Sequence, residues 1–420
     1  MKTIIYPNKL EGSIDAIGSK SITHRFLFQA IKQDKVIINN PNLSNDIFET
    51  INALIELGLR IDIEKEKLIV YGNQRLNNNV RLKVSESATT LRYLIPILSL
   101  LKISASIEIS EKLRARLLNI DFKDLALDYT FEKNCLLINP TYQLKDNYLL
   151  NFYNSSQVIS GFLIALSLID NNTIVLIKKP VDKYIELTID TLEKYHNIIE
   201  KKEFDDYFQY KITPKKNQNL IVDVEGDYSN MSYILACGLN SNIKVNNLFP
   251  NSKQPDYAFI EILKKANANI LIDKNSITIS KSNLTPLNVD LKYTPDLGPI
   301  LMAIASTINK KSTFINYERT IYKESNRLLE VLKILKMIGA TIELEKNTLF
   351  ITGPNHYNEV KEFDARNDHR IVFMLNFLSS YFDKPIIING SEAVNKSYKE
   401  FFNDIKRLKG GFNHENESKW

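Results

Sequence analysis

The segment Gly18-Ser19-Lys20-Ser21-Ile22-Thr23-His24-Arg25 sets small and hydroxyl residues, a lysine and an arginine at the start of an apolar-periodic run. At a helix N-terminus, backbone N–H groups, hydroxyls and an ammonium make a ready site for an anion. Arg25 falls one helical turn after Ser21, on the same face. The spacing is not that of a GxxxxGK[ST] nucleotide loop. Four more segments share the plan: Ser85-Glu86-Ser87-Ala88-Thr89-Thr90-Leu91-Arg92, then Ser155-Ser156-Gln157, then Asp227 with Ser229 and Ser232, then Pro295-Asp296. Taken alone, each reads as the cap of a buried helix. Taken together, they place polar helix N-termini repeatedly at one end of successive units. The charged groups come from the C-terminal third. Lys323, Glu324 and Arg327 stand at i, i+1 and i+4 at the start of a predicted helix, where an ordinary salt-bridge face is the alternative reading. Asp368-His369-Arg370 lies directly before an apolar helix, and Lys396 follows. Such a set could bind small, multiply anionic molecules and move protons on them. His24, His196, His356 and His414 have no comparable setting and read as structural or surface residues.

These residues need a scaffold, and the chain repeats one. An amphipathic helix, a break and a strand-like alternation recur with breaks near Gly58, Asp128, His196, Asn267, Gly339 and Gly410. The period is about 70 residues, which predicts six α/β units, three in each of two domains. Gly58 and Gly339 stand where a left-handed helix cap is expected. If the polar N-termini aim at a common point, their partial charges create an anion-attracting cleft. The tail GGFNHENESKW reads as polar and frayed.

A chain of 420 residues exceeds what one hydrophobic core usually supports. With 54 basic against 49 acidic residues, the net charge of +5 is spread over a mixed surface. No basic stripe interleaved with aromatics appears, so anionic small molecules fit better than nucleic acid. Cys135 and Cys237 are far apart and lack metal-ligand spacing, which favours a reduced, cytoplasmic setting with no metal. There is no glycine-rich dinucleotide fingerprint, and no cofactor is expected. The apolar start is too short for a secretory leader, and runs such as YLIPILSLL are half a membrane span.

The motifs resemble those of the 3-phosphoshikimate 1-carboxyvinyltransferases, the EPSP synthase family. GSKSITHR resembles its GSKSxxxR element, SSQ its SSQ, EGDYSNMSY its GDxSSASY and PD its aspartate element. KESNR resembles KExDR, NDHR the DHR element, and NKSYKEFF the K-S-F/Y-P-x-F-F element. The resemblance implies a two-domain inverted α/β barrel of six repeats. It places residues 1–17 and 225–420 in one discontinuous domain and residues 18–224 in the other, with the active site in the cleft between them. It further implies transfer of the enolpyruvyl group of phosphoenolpyruvate to the 5-hydroxyl of shikimate 3-phosphate, in the shikimate pathway to chorismate and the aromatic amino acids. By this resemblance Lys20, Ser21, Arg25, Ser155, Ser156 and Gln157 contact shikimate 3-phosphate, with Asp296 as general base. Lys323 and Glu324 manage protons. Lys20, Arg92, Arg116, Gln157, Arg327 and Arg370 would hold phosphoenolpyruvate, with Asp368, His369 and Lys396 in the same pocket. Arg114 competes with Arg116 for its place. A cytoplasmic monomer without nucleic-acid or membrane partners is expected.

Two places depart from the family. Its G-N-A-G-T-x-x-R element reads SESATTLR, which puts the acidic Glu86 and the extra methyl of Ala88 beside the expected phosphoenolpyruvate site. Reduced sensitivity to glyphosate, which occupies that site in the family, is the expectation. Its S-[KR]-P-Y-I element reads VDKYI, with Val181 in place of the serine and Tyr184 retained, which weakens the expected grip on the 3-phosphate. The alternatives are the UDP-N-acetylglucosamine enolpyruvyl transferases and a non-catalytic anion-binding relative.

Overall fold

In a computed structural model, which describes residues 1–7, 9–118, 129–140, 144–150, 155–321 and 323–415, the strands form six four-stranded sheets of one design. Each sheet has one parallel pair followed by two antiparallel pairings. Val80–Val84 runs parallel to Ala105–Ile109, for example, which then pairs antiparallel with Cys135–Ile138, and that strand with Tyr129–Glu132. The parallel step needs a crossover, and a helix supplies it. Four of the sequence breaks adopt left-handed backbone: Gly58 (φ 105°), His196 (φ 60°), Asn267 (φ 63°) and Gly339 (φ 99°). Near the last break, Lys409 rather than Gly410 takes this conformation (φ 64°). Asp128 lies outside the described residues.

The chain divides into two units, Gly18–Val224 and Met1–Ile17 with Glu225–Trp420. The first contains α1 (Lys20–Gln29), α2 (Asn45–Glu56), α3 (Ala88–Leu100), α4 (Glu111–Leu118), α5 (Ser156–Ser167) and α6 (Lys183–Lys194). The second contains α7 (Tyr228–Cys237), α8 (Ala258–Lys265), α9 (Gly298–Ala305), α10 (Arg327–Met337), α11 (His369–Ser379) and α12 (Phe401–Arg407). The helices are of two kinds. α3, α5, α9 and α11 are buried almost all round, which is why their sequences are nearly continuous apolar runs. α2, α6 and α8 bury one stripe and leave the other face wet. Buried helices inside and sheets outside make each unit an inverted α/β barrel. Each unit also has its own core, from Ile22 to Val224 in one and from Ile5 to Leu408 in the other.

The N-terminal residues belong to the second unit's sheets. Lys2–Ile5 lies between Ile386–Asn389 and Phe412–Glu415, antiparallel to both. Glu11–Asp15 runs parallel to Asn242–Asn246. In the first unit the equivalent place, beside Lys35–Asn39, is filled by Asn219–Asp223.

Two expectations change. The described part of the tail is not frayed: Phe412–Glu415 is an edge strand, with Phe412 against Phe402 (ring centroids 5.0 Å apart) and His414 Nδ1 2.8 Å from the Thr3 hydroxyl. Lys323 and Glu324 do not start a helix. α10 begins at Arg327, behind Asn326, whose side chain caps it by accepting from the Leu329 N–H (3.2 Å).

Candidate active site

In the first unit, polar helix starts gather around α2. Lys20 opens α1 and donates to Asp46 Oδ2 at 2.6 Å. Asp46, Glu49 and Thr50 share one face of α2 at helical spacing. The Thr50 hydroxyl lies 2.8 Å from His24 Nδ1 and 2.6 Å from the Thr90 hydroxyl, which in turn lies 2.7 Å from that of Ser87. Burial, with the charges of Lys20 and Arg25, holds the His24 imidazolium far below its ordinary range, so the ring is neutral near pH 7. The neutral ring joins α1 to α2 through Thr50.

Arg25 is more deeply placed than its type suggests, at 2% exposure. It donates Nε–H to the Thr188 hydroxyl (2.9 Å), Nη1–H to the Ser21 carbonyl (2.7 Å) and Nη2–H to the Tyr184 carbonyl (3.0 Å). Where the family's serine is replaced, Asp182 caps α6 by accepting from the Tyr184 N–H (2.9 Å).

The acidic element Ser85–Arg92 forms the start of α3, with Ser87 as cap and the buried Ala88 as its first residue. Arg92 donates Nη1–H to Gln157 Oε1 (2.5 Å), and Gln157 donates to the Thr89 hydroxyl (2.8 Å). Ser155 stands at the N-terminal cap position of α5 without a side-chain cap bond, and Ser156 and Gln157 are the first two residues of the helix. Arg92 also donates to the Arg116 carbonyl (3.3 Å), whereas Arg114 donates to the Lys133 carbonyl (2.7 Å) and lies over the Phe131 ring. Between the two arginines of LRAR, Arg116 is the one whose backbone meets the Arg92 array.

In the second unit the central group is Arg327, 1% exposed. It donates Nε–H to Asp368 Oδ2 (2.9 Å), Nη2–H to Asp368 Oδ1 (3.1 Å) and Nη1–H to Asp296 Oδ1 (2.8 Å), and its Nη2 also meets Glu324. Lys323 Nζ stands 3.2 Å and Arg370 Nε 3.5 Å from Asp296 Oδ1. Burial pushes the Asp296 carboxyl up, but Lys323, Arg370 and Arg327 outweigh it and hold it well below the usual carboxylate range. Lys323 is shifted down, chiefly by burial and against the pull of Asp296. Arg327 is buried, yet Asp368, Glu324 and Asp296 keep it charged. Three cations thus face three carboxylates.

Asp368 is fully buried and serves as a scaffold. It caps α11 by accepting from the Arg370 N–H (3.0 Å), accepts from the Ser325 hydroxyl (3.0 Å) and grips Arg327 with both oxygens. His369 is 2% exposed, edge-on to Phe373. Lys396 ends the short helix Ser391–Lys396 and donates to the Asn367 carbonyl (2.9 Å). Arg370 donates to the Ser229 carbonyl (3.1 Å) and hydroxyl (2.6 Å) and lies over the Tyr233 ring.

Sequence reasoning missed Asp46, Glu49 and Asp256. Asp256 is 1% exposed, hydrogen-bonds with the Ser229 side chain and is pushed up to about 6 by burial and by the nearby Asp296. A signal existed, because Pro255-Asp256 opens a short helix just as Pro295-Asp296 does.

Barrels with their helices inside match a known class of fold. An EPSP synthase structure from Acinetobacter baumannii superposes with a TM-score of 0.77 at 21% identity, covering 98% of this chain and 100% of that one. The enolpyruvyl transferase NikO from Streptomyces tendae superposes with a TM-score of 0.76 at 11% identity, covering 98% of each chain. The fold is that of the enolpyruvyl transferases. Sequence narrows this further. The profile of EPSP synthase (3-phosphoshikimate 1-carboxyvinyltransferase) matches residues 4–405. The 3-phosphoshikimate 1-carboxyvinyltransferase of Clostridium botulinum (strain Alaska E43 / Type E3) is 32% identical over 98% of both chains. That of Clostridioides difficile (strain 630) is 30% identical over 99% of both. The chain belongs to the EPSP synthase family.

Proposed function

We propose that Asp296, Lys323 and Glu324 move the protons, and that the arginines and Lys20 hold the anions, in the reaction that defines this family. That reaction transfers the enolpyruvyl group of phosphoenolpyruvate to the 5-hydroxyl of shikimate 3-phosphate and releases phosphate. The chain is an enzyme of this activity, serving aromatic amino-acid biosynthesis through the shikimate pathway. Among the described residues no helix is long and apolar enough to cross a membrane.

Phosphoenolpyruvate becomes electrophilic at C2 only as C3 is protonated, so an acid and a base must act in concert. Glu324 protonates C3, with Lys323 beside it, while Asp296 takes the proton of the attacking 5-hydroxyl. The tetrahedral phosphate adduct then collapses. Glu324 removes a C3 proton, the C–O bond to phosphate breaks, and the proton held by Asp296 accompanies the leaving phosphate. Lys20, Ser21, Arg25, Ser155, Ser156 and Gln157 serve shikimate 3-phosphate, Arg25 from its buried position through charge and by fixing Ser21. Lys20, Arg92, Arg116, Gln157, Arg327, Arg370 and Lys396 serve the phosphate and carboxylate of phosphoenolpyruvate. Asp368 and His369 support Arg327 and Arg370 from behind.

The observation that carries this reading is the grip of Arg327 and its neighbours on Asp296. A carboxylate held that far below its usual range is a poor base. Substrate anions that draw Arg327 and Arg370 to themselves weaken the hold and raise the basicity of Asp296, so the base gains strength when substrate is present. The test is phosphate release from phosphoenolpyruvate by the purified enzyme. Release should require shikimate 3-phosphate and should not respond to UDP-N-acetylglucosamine. Binding of both substrates by calorimetry without turnover would instead establish a non-catalytic relative.

A further inference from the structure

Glu49 lies on α2, half-buried, one turn beyond the aspartate that pairs with Lys20. Its carboxylate accepts from the Glu86 N–H (3.1 Å to Oε1, 3.3 Å to Oε2) and from the Ser87 N–H (2.9 Å to Oε2). These amides lie just ahead of α3, where backbone donors point outward and attract an anion. Here the chain supplies that anion itself. One turn of α3 carries Thr89, which accepts from Gln157, and Arg92, which donates to Gln157. Burial raises the Glu49 carboxyl, an effect opposed by the Ser87 N–H, so the carboxylate is retained there against a desolvation cost.

We infer that Glu49 is a positioning residue, which clamps the Ser85–Ser87 turn and thereby fixes the Thr89–Gln157–Arg92 array that receives phosphoenolpyruvate. The inference rests on the proposed role of Arg92 and Gln157. The geometry separates two functions on one helix face: Asp46 sets Lys20, and Glu49 sets the entry to α3. Thr50 and Thr90 tie the two together through their hydroxyls. It also explains how the chain accommodates an acidic residue at position 86. The Glu49 carboxylate binds the Glu86 and Ser87 amides, so the turn is held by its backbone with any side chain at position 86 except proline, which lacks the N–H.

The experiment uses the full-length purified enzyme with Glu49→Ala, Glu49→Gln and Glu49→Asp. In Glu49→Ala the KM for phosphoenolpyruvate should rise about tenfold or more, with kcat and the KM for shikimate 3-phosphate changed less than about threefold. Glu49→Gln keeps one acceptor oxygen and should recover part of the loss; Glu49→Asp, a methylene short, should recover less. Amide exchange gives a readout independent of turnover. The Glu86 and Ser87 amides should exchange faster in Glu49→Ala, while those of Ser156 and Gln157 keep their wild-type rates. Unchanged exchange at those two amides, or an equal rise in both KM values, overturns the inference. Should Glu49→Ala fail to fold, the same comparison is made with Glu49→Gln, and a KM for phosphoenolpyruvate equal to wild type overturns it. An inactive wild-type enzyme would instead overturn the proposed reaction, and the exchange rates would still decide the clamp.

Discussion

At the scale of single residues, the second unit balances charge instead of accumulating it. Arg327 is bound by three carboxylates, and breaking such a buried set costs more than any one contact contributes, because the survivors are left uncompensated. Asp256, beside this set, is a carboxylate whose charge is poorly supported. Burial and the nearby Asp296 push its carboxyl up to about 6 from 3.8, so between those values the folded chain holds a proton that the unfolded chain has lost. The associated stability is fully present below about pH 4 and is lost as pH rises through about 6. Asp256→Asn, which stays neutral, should therefore be more stable than wild type near pH 8, by on the order of 3 kcal/mol, and equal to it near pH 4. Urea unfolding at the two pH values checks this. A variant that is less stable near pH 8 would mean that the ionised carboxylate, through Ser229 and Arg370, supports the fold.

At the scale of elements, what matters is how closely the inner helices approach. A Cβ at Gly161 on α5 would lie 2.8 Å from the Tyr93 Cα and 2.9 Å from the Arg92 carbonyl oxygen on α3, so backbone meets backbone where Arg92 is set. Gly161→Ala should push the two helices apart, cost about 1–3 kcal/mol and raise the KM for phosphoenolpyruvate. Thermal unfolding and steady-state kinetics would test both effects, and a variant with wild-type KM would detach this packing from the array. The repeat was legible in the sequence because four of its breaks, Gly58, His196, Asn267 and Gly339, fall where the backbone turns left-handed, a conformation glycine and asparagine tolerate best. The charged clusters were legible because each stands immediately before an apolar run. The polar face of α2 was not, since Asp46, Glu49 and Thr50 look in sequence like an ordinary wet stripe; only tertiary packing turns that stripe inward. The strand Phe412–Glu415 escaped notice because it is short and polar, and its identity depends on a partner some four hundred residues away. The start of α10 was misplaced because Lys323 and Glu324 are good helix formers, whereas the Asn326 cap decides the boundary.

At the scale of the whole molecule, the chain crosses from one unit to the other after Ile17 and again before Glu225. The second unit depends on both N-terminal strands, and one of them, Lys2–Ile5, is internal to its sheet. Removal of residues 1–15 should therefore strip amide protection from residues 225–415 while leaving residues 18–224 protected. Exchange measured by mass spectrometry would show it. Uniform loss across both units would mean that they unfold as one.

The placement of Lys2–Ile5 also sets an order on biosynthesis. This strand leaves the ribosome several hundred residues ahead of both of its neighbours, Ile386–Asn389 and Phe412–Glu415. At typical elongation rates it waits roughly tens of seconds for them. Residues 18–224 can meanwhile complete their three sheets, since Asn219–Asp223 closes the last of them from within. The nascent chain thus holds one finished unit and a half-apolar strand that stays open to chaperones, proteases and wrong partners until those neighbours emerge.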